Sequence, residues 1–533
     1  MNIITFLFGF HALWTIQASL AARVDQAPSS ISPFEVHSLP GAPSLPPSWA
    51  GRLPVPDVEE GNSLFFWLVE AEDSAYDDNL ISQLIKYTFQ KCKLIRLVWL
   101  NGGPGCSSLL GLTGGNGPMS FVGNSTKLES NPYSWSKLGH VLYIDQPVGT
   151  GYSTASDPYP VHDMDRVTSD FHAWLQSFLT QFSHLQSKRV HLIGESYAGF
   201  YIPYFASAII DNQDSFPLDL ASLSMGDPTI GDPAAMTSVM IGQYLESQKS
   251  ALQIPDDIIS AFTEGSEECG FDGIAQKLNT YPPKTGPIPI PGNPDNLYTL
   301  KGADALINGD DCYPHATDAD GVLYSILNEA DCLGSCATFN TAIDYLYTKN
   351  NCFDQYDISN CCDKISQFPI LANYFGRADV QAALNIPPPS TDSPAHYSAC
   401  SNNILAALTL SETATIPTSP TFSILPSILN NGSIAVHVYS GEYDFLLNHF
   451  GTELVLQNMT WNGAQGFVEK PSKAFYSDDA MPDDSEKGED KNVAGTWGEE
   501  RGLSYHFFHG AGHSVFAKKG REMFAFVRDV VVA

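Results

Sequence analysis

RVHLIGESYAGFYIPYFASAII, residues 189–210, joins two elements of different period through a tight turn. Val190 to Ile193 is a short β-branched and apolar run suited to a buried strand, and Tyr197 to Ile210 is apolar enough for a packed helix. Gly194, Glu195, Ser196, Tyr197, Ala198 and Gly199 form the turn between them. A strand-turn-helix with small residues two before and two after a serine is the setting of a nucleophile elbow, in which the backbone folds sharply and exposes the hydroxyl. The usual pattern has glycine at both places; Ala198 in the second meets the same steric demand. The plainer alternative is a serine that only caps a helix.

A serine hydroxyl is a poor nucleophile near neutral pH, so an elbow requires a histidine base and a carboxylate to orient it. Both are expected downstream, each at the carboxyl end of a strand, in the order Ser, Asp or Glu, His. Ile434 to Tyr439 (IAVHVY) reads as a strand, and GEYDFLLN after it offers Glu442 or Asp444. Leu503 to Phe508 leads into HGAGHSV, which offers His509 or His513, and an apolar helix from Arg521 to Val532 follows. Upstream, Val98 to Leu109 (VWLNGGPGCSSL) runs from a strand end into a glycine-rich loop whose N–H groups can approach an oxyanion. A phosphate loop is excluded, because GGPG lacks the Lys-Ser/Thr ending and the GxGxxG spacing. The fold class expected is α/β: an α/β-hydrolase fold with a central, mostly parallel sheet.

The remaining composition narrows the setting. The 533 residues carry 59 acidic and 27 basic side chains, a formal charge of −32, which excludes nucleic acid and anionic membrane surfaces as partners. With 43% hydrophobic and 11% aromatic residues, the chain has ample material for a core. Residues 1–21 read as a secretory signal: Ile3 to Ile16 is apolar, too short for a membrane span, and Ser19 and Ala21 suit a cleavage site. After such a signal, ten cysteines read as disulfides, and no spacing suits a metal. Sequons at Asn124, Asn431 and Asn458 fit the same route. Secretion is expected, or a vacuole or lysosome reached by the same pathway.

Alternating strand-like and helix-like segments occupy residues 22–230 and 431–533 as two parts of one core. Residues 231–430 differ: cysteines cluster from Cys269 to Cys400, and YPPKTGPIPIPGNP (Tyr281 to Pro294) cannot propagate a helix or a central strand. This reads as an inserted, disulfide-rich cap before the chain returns to the core; a separately folding second domain is the alternative. The acidic run Asp478 to Asp490 reads as a solvated loop. Lys86 to Arg96 (KYTFQKCKLIR) reads as an exposed basic insertion, with a mistranslated piece of gene model as the alternative, and no function attaches to it.

The motifs together resemble the serine carboxypeptidases related to carboxypeptidase Y. The likeness spans SWAGRLPV, WLNGGPGCSSL, NPYSW, IDQPVGTGYS, GESYAGFY, GEYDFLLN and GAGH. It implies Ser196 as nucleophile, Asp444 rather than Glu442 as orienting carboxylate, and His513 rather than His509 as base. It further implies oxyanion N–H groups from Gly103 and Tyr197, and a Cys106–Cys400 disulfide. A substrate carboxylate would be bound by Asn101, the backbone of Gly102, and Glu195. The activity implied is removal of single residues from peptides with a free C-terminus, through an acyl-enzyme at mildly acid pH, with no cofactor and no metal. An acyltransferase or esterase on the same fold is the alternative enzyme, and a non-catalytic secreted glycoprotein the alternative outside enzymes. The oligomeric state is left open.

Three departures accompany the resemblance. Gly115 stands where the family has a glutamate that hydrogen-bonds the residue matching Glu195; Leu447 replaces a frequent cysteine; and Ser514-Val515-Phe516 replaces Met-Val-Pro after the base. These predict retained acyl chemistry with altered carboxylate recognition, so that amide and ester substrates compete better or the acidic preference shifts.

Overall fold

Among the described residues six parallel strands form the middle of a ten-stranded sheet, and because both faces are covered even their polar residues, such as His191, Ser222, His437 and Ser504, are buried. The computed structural model describes residues 32–56, 58–72, 95–288, 338–350, 352–360, 367–388, 397–410, 418–477 and 493–533. In chain order the sheet strands are β1 (Ser48–Pro54), β2 (Ser63–Val69), β3 (Ile95–Leu100), β4 (His140–Asp145), β5 (Arg189–Glu195), β6 (Leu220–Gly226), β7 (Ala435–Gly441), β8 (Lys473–Tyr476), β9 (Val493–Glu500) and β10 (Leu503–Phe508). Their spatial order is β1, β2, β4, β3, β5, β6, β7, β10, β9, β8, with the antiparallel pairs confined to the two ends. The mostly parallel α/β sheet expected from the sequence is therefore present.

Alternation along each strand divides the core into two layers. On β2, Leu64, Phe66 and Leu68 join one cluster, and Phe65, Trp67 and Val69 join the other. Helices α1 (Met164–Gln181) and α2 (Ala198–Asp211) cover the first face, with Phe171 and Phe205 stacked at 3.8 Å between ring centroids. Asp163 caps α1 by accepting from the Arg166 N–H at 2.7 Å, and Val167, Phe171, Trp174, Leu175 and Phe178 form its buried stripe. The C-terminal segment places Met523, Phe524, Phe526, Val527 and Val531 on the second face.

Between β6 and β7, which are neighbours in the sheet with Gly226 opposite Tyr439, every regular element among the described residues is helical. Three of these helices, Ile241–Ser247, Asp256–Glu268 and Thr338–Lys349, share a third apolar cluster, including Ile241, Tyr244, Phe262, Phe339 and Tyr345, which also takes in Phe445 from the loop after β7. The inserted segment is thus packed directly against a loop that leaves the sheet at its carboxyl edge. Residues 1–21, Asp478 to Asp490, and all but the last two residues of Lys86 to Arg96 lie outside the described residues; Arg96 is not exposed as expected but fully buried, because it is already part of β3.

Candidate active site

The sharp turn after β5 holds Ser196 at φ 63°, a left-handed conformation that a residue with a side chain adopts at a cost of roughly 1–3 kcal/mol. The turn is braced from β6: the Ser196 N–H donates to Gly226 O at 2.9 Å, and the Thr229 N–H donates to Ser196 O at 3.0 Å. A Cβ on Gly194 would lie 2.3 Å from Leu100 O and 2.7 Å from Ala198 Cβ. Glycine is therefore obligatory before the serine, and its missing side chain leaves room for the alanine that replaces the usual second glycine.

The glycine-rich loop after β3 lies against this turn, since a Cβ on Gly102 would be 2.4 Å from Tyr197 N and 2.9 Å from Ser196 Cβ. Neither the Gly103 nor the Tyr197 N–H meets an acceptor among the described residues, so two donors are left over beside the serine. The loop is tied down twice. Cys106 is bonded to Cys400 across a sequence separation of 294, and the Ser107 N–H donates to Ala399 O at 2.8 Å. Buried Asp145 accepts from Ser107 Oγ at 2.7 Å, Ser108 N–H at 2.9 Å and Tyr152 N–H at 3.0 Å. Burial nevertheless raises its pKa to about 6.

At the carboxyl ends of β7 and β10 the structure separates the alternatives that the residues alone left open. His513 Nδ1–H donates to Asp444 Oδ2 at 2.7 Å, with the two side chains 7% and 0% exposed. Asp444 Oδ1 accepts from the Leu447 N–H at 3.2 Å. Burial works against the imidazolium, but the charge and hydrogen bond of Asp444, with Glu195 and Asp354 behind, prevail and hold His513 above the ordinary imidazole pKa. Glu442 and His509 sit apart and more exposed: Glu442 Oε2 accepts from the Gly510 N–H at 2.7 Å and lies 3.8 Å from His509 Nδ1.

Glu195 and Asn101 form a second buried cluster beside the serine. Asn101 Oδ1 accepts from Trp99 Nε1–H at 2.7 Å and the Gly111 N–H at 3.1 Å, which turns its amide Nδ2 to donate to Glu195 Oε1 at 2.9 Å. The same oxygen accepts from Ser514 Oγ at 3.1 Å. Glu195 Oε2 is buried without a partner, and burial pushes the carboxyl up to about 7 against the pull of His513, Ser514 and Asn101. At Gly115, φ is 145° and a Cβ would lie 2.8 Å from Phe516 O and 3.2 Å from Phe516 Cδ2. The departures at Gly115 and at Ser514 to Phe516 are therefore one physical change: Phe516, set edge-on to Trp99 at 5.2 Å, fills the space beside Gly115, and a hydroxyl contacts Glu195.

Sequence reasoning missed two contacts. Ser514 was legible only as a departure, without its contact to Glu195. Tyr356, from the inserted segment, accepts the His513 N–H on its backbone oxygen at 2.7 Å and sets its ring 5.3 Å from the imidazole. A backbone acceptor leaves no mark in the residue type. Of the sequons, Asn124 and Asn431 are exposed, whereas Asn458 is half-buried with its amide paired to the backbone of Ile288 at 2.9 Å in both directions.

Comparison with known proteins agrees with this geometry. The sequence profile of the serine carboxypeptidase family (Peptidase_S10) matches residues 47–533. The chain is 44% identical over 508 residues to a carboxypeptidase Y homolog of Arthroderma benhamiae, covering 94% of each protein. It is 29% identical over 522 residues to the pheromone-processing carboxypeptidase kex1 of Pyrenophora tritici-repentis, covering 95% of this chain and 68% of that one. Its fold is similar to the crystal structure of Kex1(delta)p, a prohormone-processing carboxypeptidase from Saccharomyces cerevisiae. That match has a TM-score of 0.66 and 22% identity over 94% of this chain and 96% of the other.

Proposed function

The chain belongs to the serine carboxypeptidase family, and from that premise we propose that Ser196, His513 and Asp444 cleave the last bond of a peptide through an acyl-enzyme. The observation that carries this assignment is the buried 2.7 Å hydrogen bond from His513 to Asp444, on the same sheet edge as the strained turn at Ser196. Asp444 fixes the imidazole with Nδ1 protonated, so Nε2 takes the proton as Ser196 Oγ attacks the carbonyl. The Gly103 and Tyr197 N–H groups stabilise the oxyanion. His513 then protonates the leaving amine, the terminal amino acid departs, and water activated by the same imidazole hydrolyses the ester.

Selection of the last residue falls to Asn101, Gly102 and Glu195. Both donors on Glu195 address Oε1, so a proton on the unpartnered Oε2 can be shared with the substrate carboxylate. Recognition is then strongest below about pH 7, the value to which burial lifts Glu195, and fades as that carboxyl ionises. The productive form has Glu195 protonated and His513 neutral, which places the working range in mildly acid to neutral media.

Entry to the secretory route belongs to the same reading. Cys106, Cys400, Cys269 and Cys352 are all disulfide-bonded, and Asn124 and Asn431 are exposed sequons. No helix among the described residues is long and apolar enough to cross a membrane. The test of function is product analysis on an amino-blocked peptide. A single free amino acid should be released from the carboxyl end, and Ser196→Ala and His513→Ala should each lower kcat by about 10³-fold or more with the melting temperature preserved. Undiminished release by folded Ser196→Ala would overturn the assignment.

A further inference from the structure

Asp227, which follows β6, is fully buried and belongs to neither cluster described above. Its backbone bridges two strands: its N–H donates to Tyr439 O at 2.8 Å, and its φ is 39°. Its Oδ1 accepts from the Gly441 N–H at 2.9 Å, and its Oδ2 is buried with no donor directed at it. The carboxyl lies within hydrogen-bonding reach of Asp444. The same turn braces Ser196, because Gly226 O and the Thr229 N–H pair with the serine backbone. One four-residue turn thus touches both the serine and the carboxylate behind the base.

We propose that Asp227 is a positioning residue of this active site, a protonated acid that donates a hydrogen bond to Asp444 and so spreads the negative charge of the Asp444 carboxylate over two carboxyls. The proposal rests on the reading of Asp444 and His513 as the orienting carboxylate and base. Two carboxyls in contact cannot both ionise without a large penalty, and here neither is exposed. Among the described residues the groups facing Asp227 are Asp444, Glu195 and the phenols of Tyr244, Tyr439 and Tyr505, with His513 beyond Asp444, so none of them is a cation in direct contact that would stabilise a second anion. Burial first, then the charge of Asp444, holds Asp227 well above the usual carboxyl range. Asp444 is the member that bonds His513, so the anion belongs there and the proton on Asp227.

The consequence lies in the acid limb of activity. A carboxylate that accepts from a neighbouring acid is less basic and holds an imidazolium less tightly. His513 therefore releases its proton at a lower pH than it would beside an unassisted Asp444, which extends the working range toward acid.

The experiment compares kcat/KM against pH for the full chain, Asp227→Asn and Asp227→Ala, on an amino-blocked peptide. Asparagine keeps a neutral donor, so the midpoint of the acid limb should stay within a few tenths of a pH unit of wild type. Alanine removes the donor, so the midpoint should rise by about half a unit or more. If Asp227 were ionised, Asp227→Asn would delete a buried charge and lower the midpoint by about one unit or more, which would overturn the proposal. Infrared difference spectra decide independently and survive misfolding of the alanine variant: a protonated-carboxyl band above neutral pH should be present in wild type and lost in Asp227→Asn, and its absence from wild type sinks the idea. Labelling of Ser196 by an organophosphonate in Asp444→Asn separates the two levels of argument. Undiminished labelling there refutes the reading of the base pair, whereas lost labelling with a contrary Asp227 result refutes the proposal alone.

Discussion

Replacing Ser514 by alanine should extend carboxylate recognition toward alkaline pH. Ser514 Oγ donates at 3.1 Å to Glu195 Oε1, a bond that favours the ionised form, while burial favours the protonated one and sets the pKa at about 7. A hydrogen bond of this length to a charged group is worth about 1 kcal/mol, so its loss should raise the Glu195 pKa by about 0.7. The buried site gives little solvent screening to reduce that figure. At about pH 7.5 the protonated fraction should rise from roughly a quarter to roughly three-fifths, and KM for a blocked dipeptide should fall about twofold to threefold. Below about pH 5.5, where Glu195 is protonated in both proteins, the two KM values should coincide. The carboxyl-terminal amide of the same dipeptide needs no shared proton, so its KM should not respond. A higher KM in the variant at alkaline pH, or an equal change with the amide, would refute the reasoning.

Other consequences follow from the same contacts. Gly115→Glu should destabilise the protein by about 2 kcal/mol or more, because the new Cβ meets Phe516 O at 2.8 Å in a left-handed backbone; adding Phe516→Ala should recover only part of the melting temperature, since the carbonyl contact remains. Stability should fall on both sides of a maximum near about pH 6.5, because below it five buried histidines outweigh three buried carboxyls, read as melting temperature against pH. On the acid side, burial depresses His140 and His437 to about 4 and His191, His449 and His506 to about 3, so the stability they contribute is lost as pH falls from the ordinary imidazole value through that range. On the alkaline side, burial raises Glu195, Asp232 and Glu453 to about 7, so the stability they contribute is lost as pH rises from ordinary carboxyl values through 7.

What was legible in the sequence follows from what acts locally. Period and turn sterics located β5, the turn and α2 to within a residue or two, because a strand, a glycine-bounded turn and an apolar helix each leave a mark in consecutive residues. Leu503 to Phe508 matched β10 for the same reason. The choice of Asp444 over Glu442 was not local. Both follow β7, and only three-dimensional packing buries one against His513 while the other reaches the Gly510 N–H. Ser514 and Asp227 were less legible still. Ser514 meets Glu195 across a sequence separation of 319, and Asp227 lies near Asp444 because β6 and β7 are neighbours across an insertion of about two hundred residues. No window of sequence contains either pair.

The central claim is that the serine in the strained turn after β5 is a nucleophile activated by His513. Reaction with an organophosphonate, followed by peptide mapping, tests it most directly. The account predicts one adduct per chain on Ser196, formed at a rate that rises as His513 loses its proton and absent from Ser196→Ala. A folded wild-type protein that takes no label, or an adduct on another residue, would contradict it.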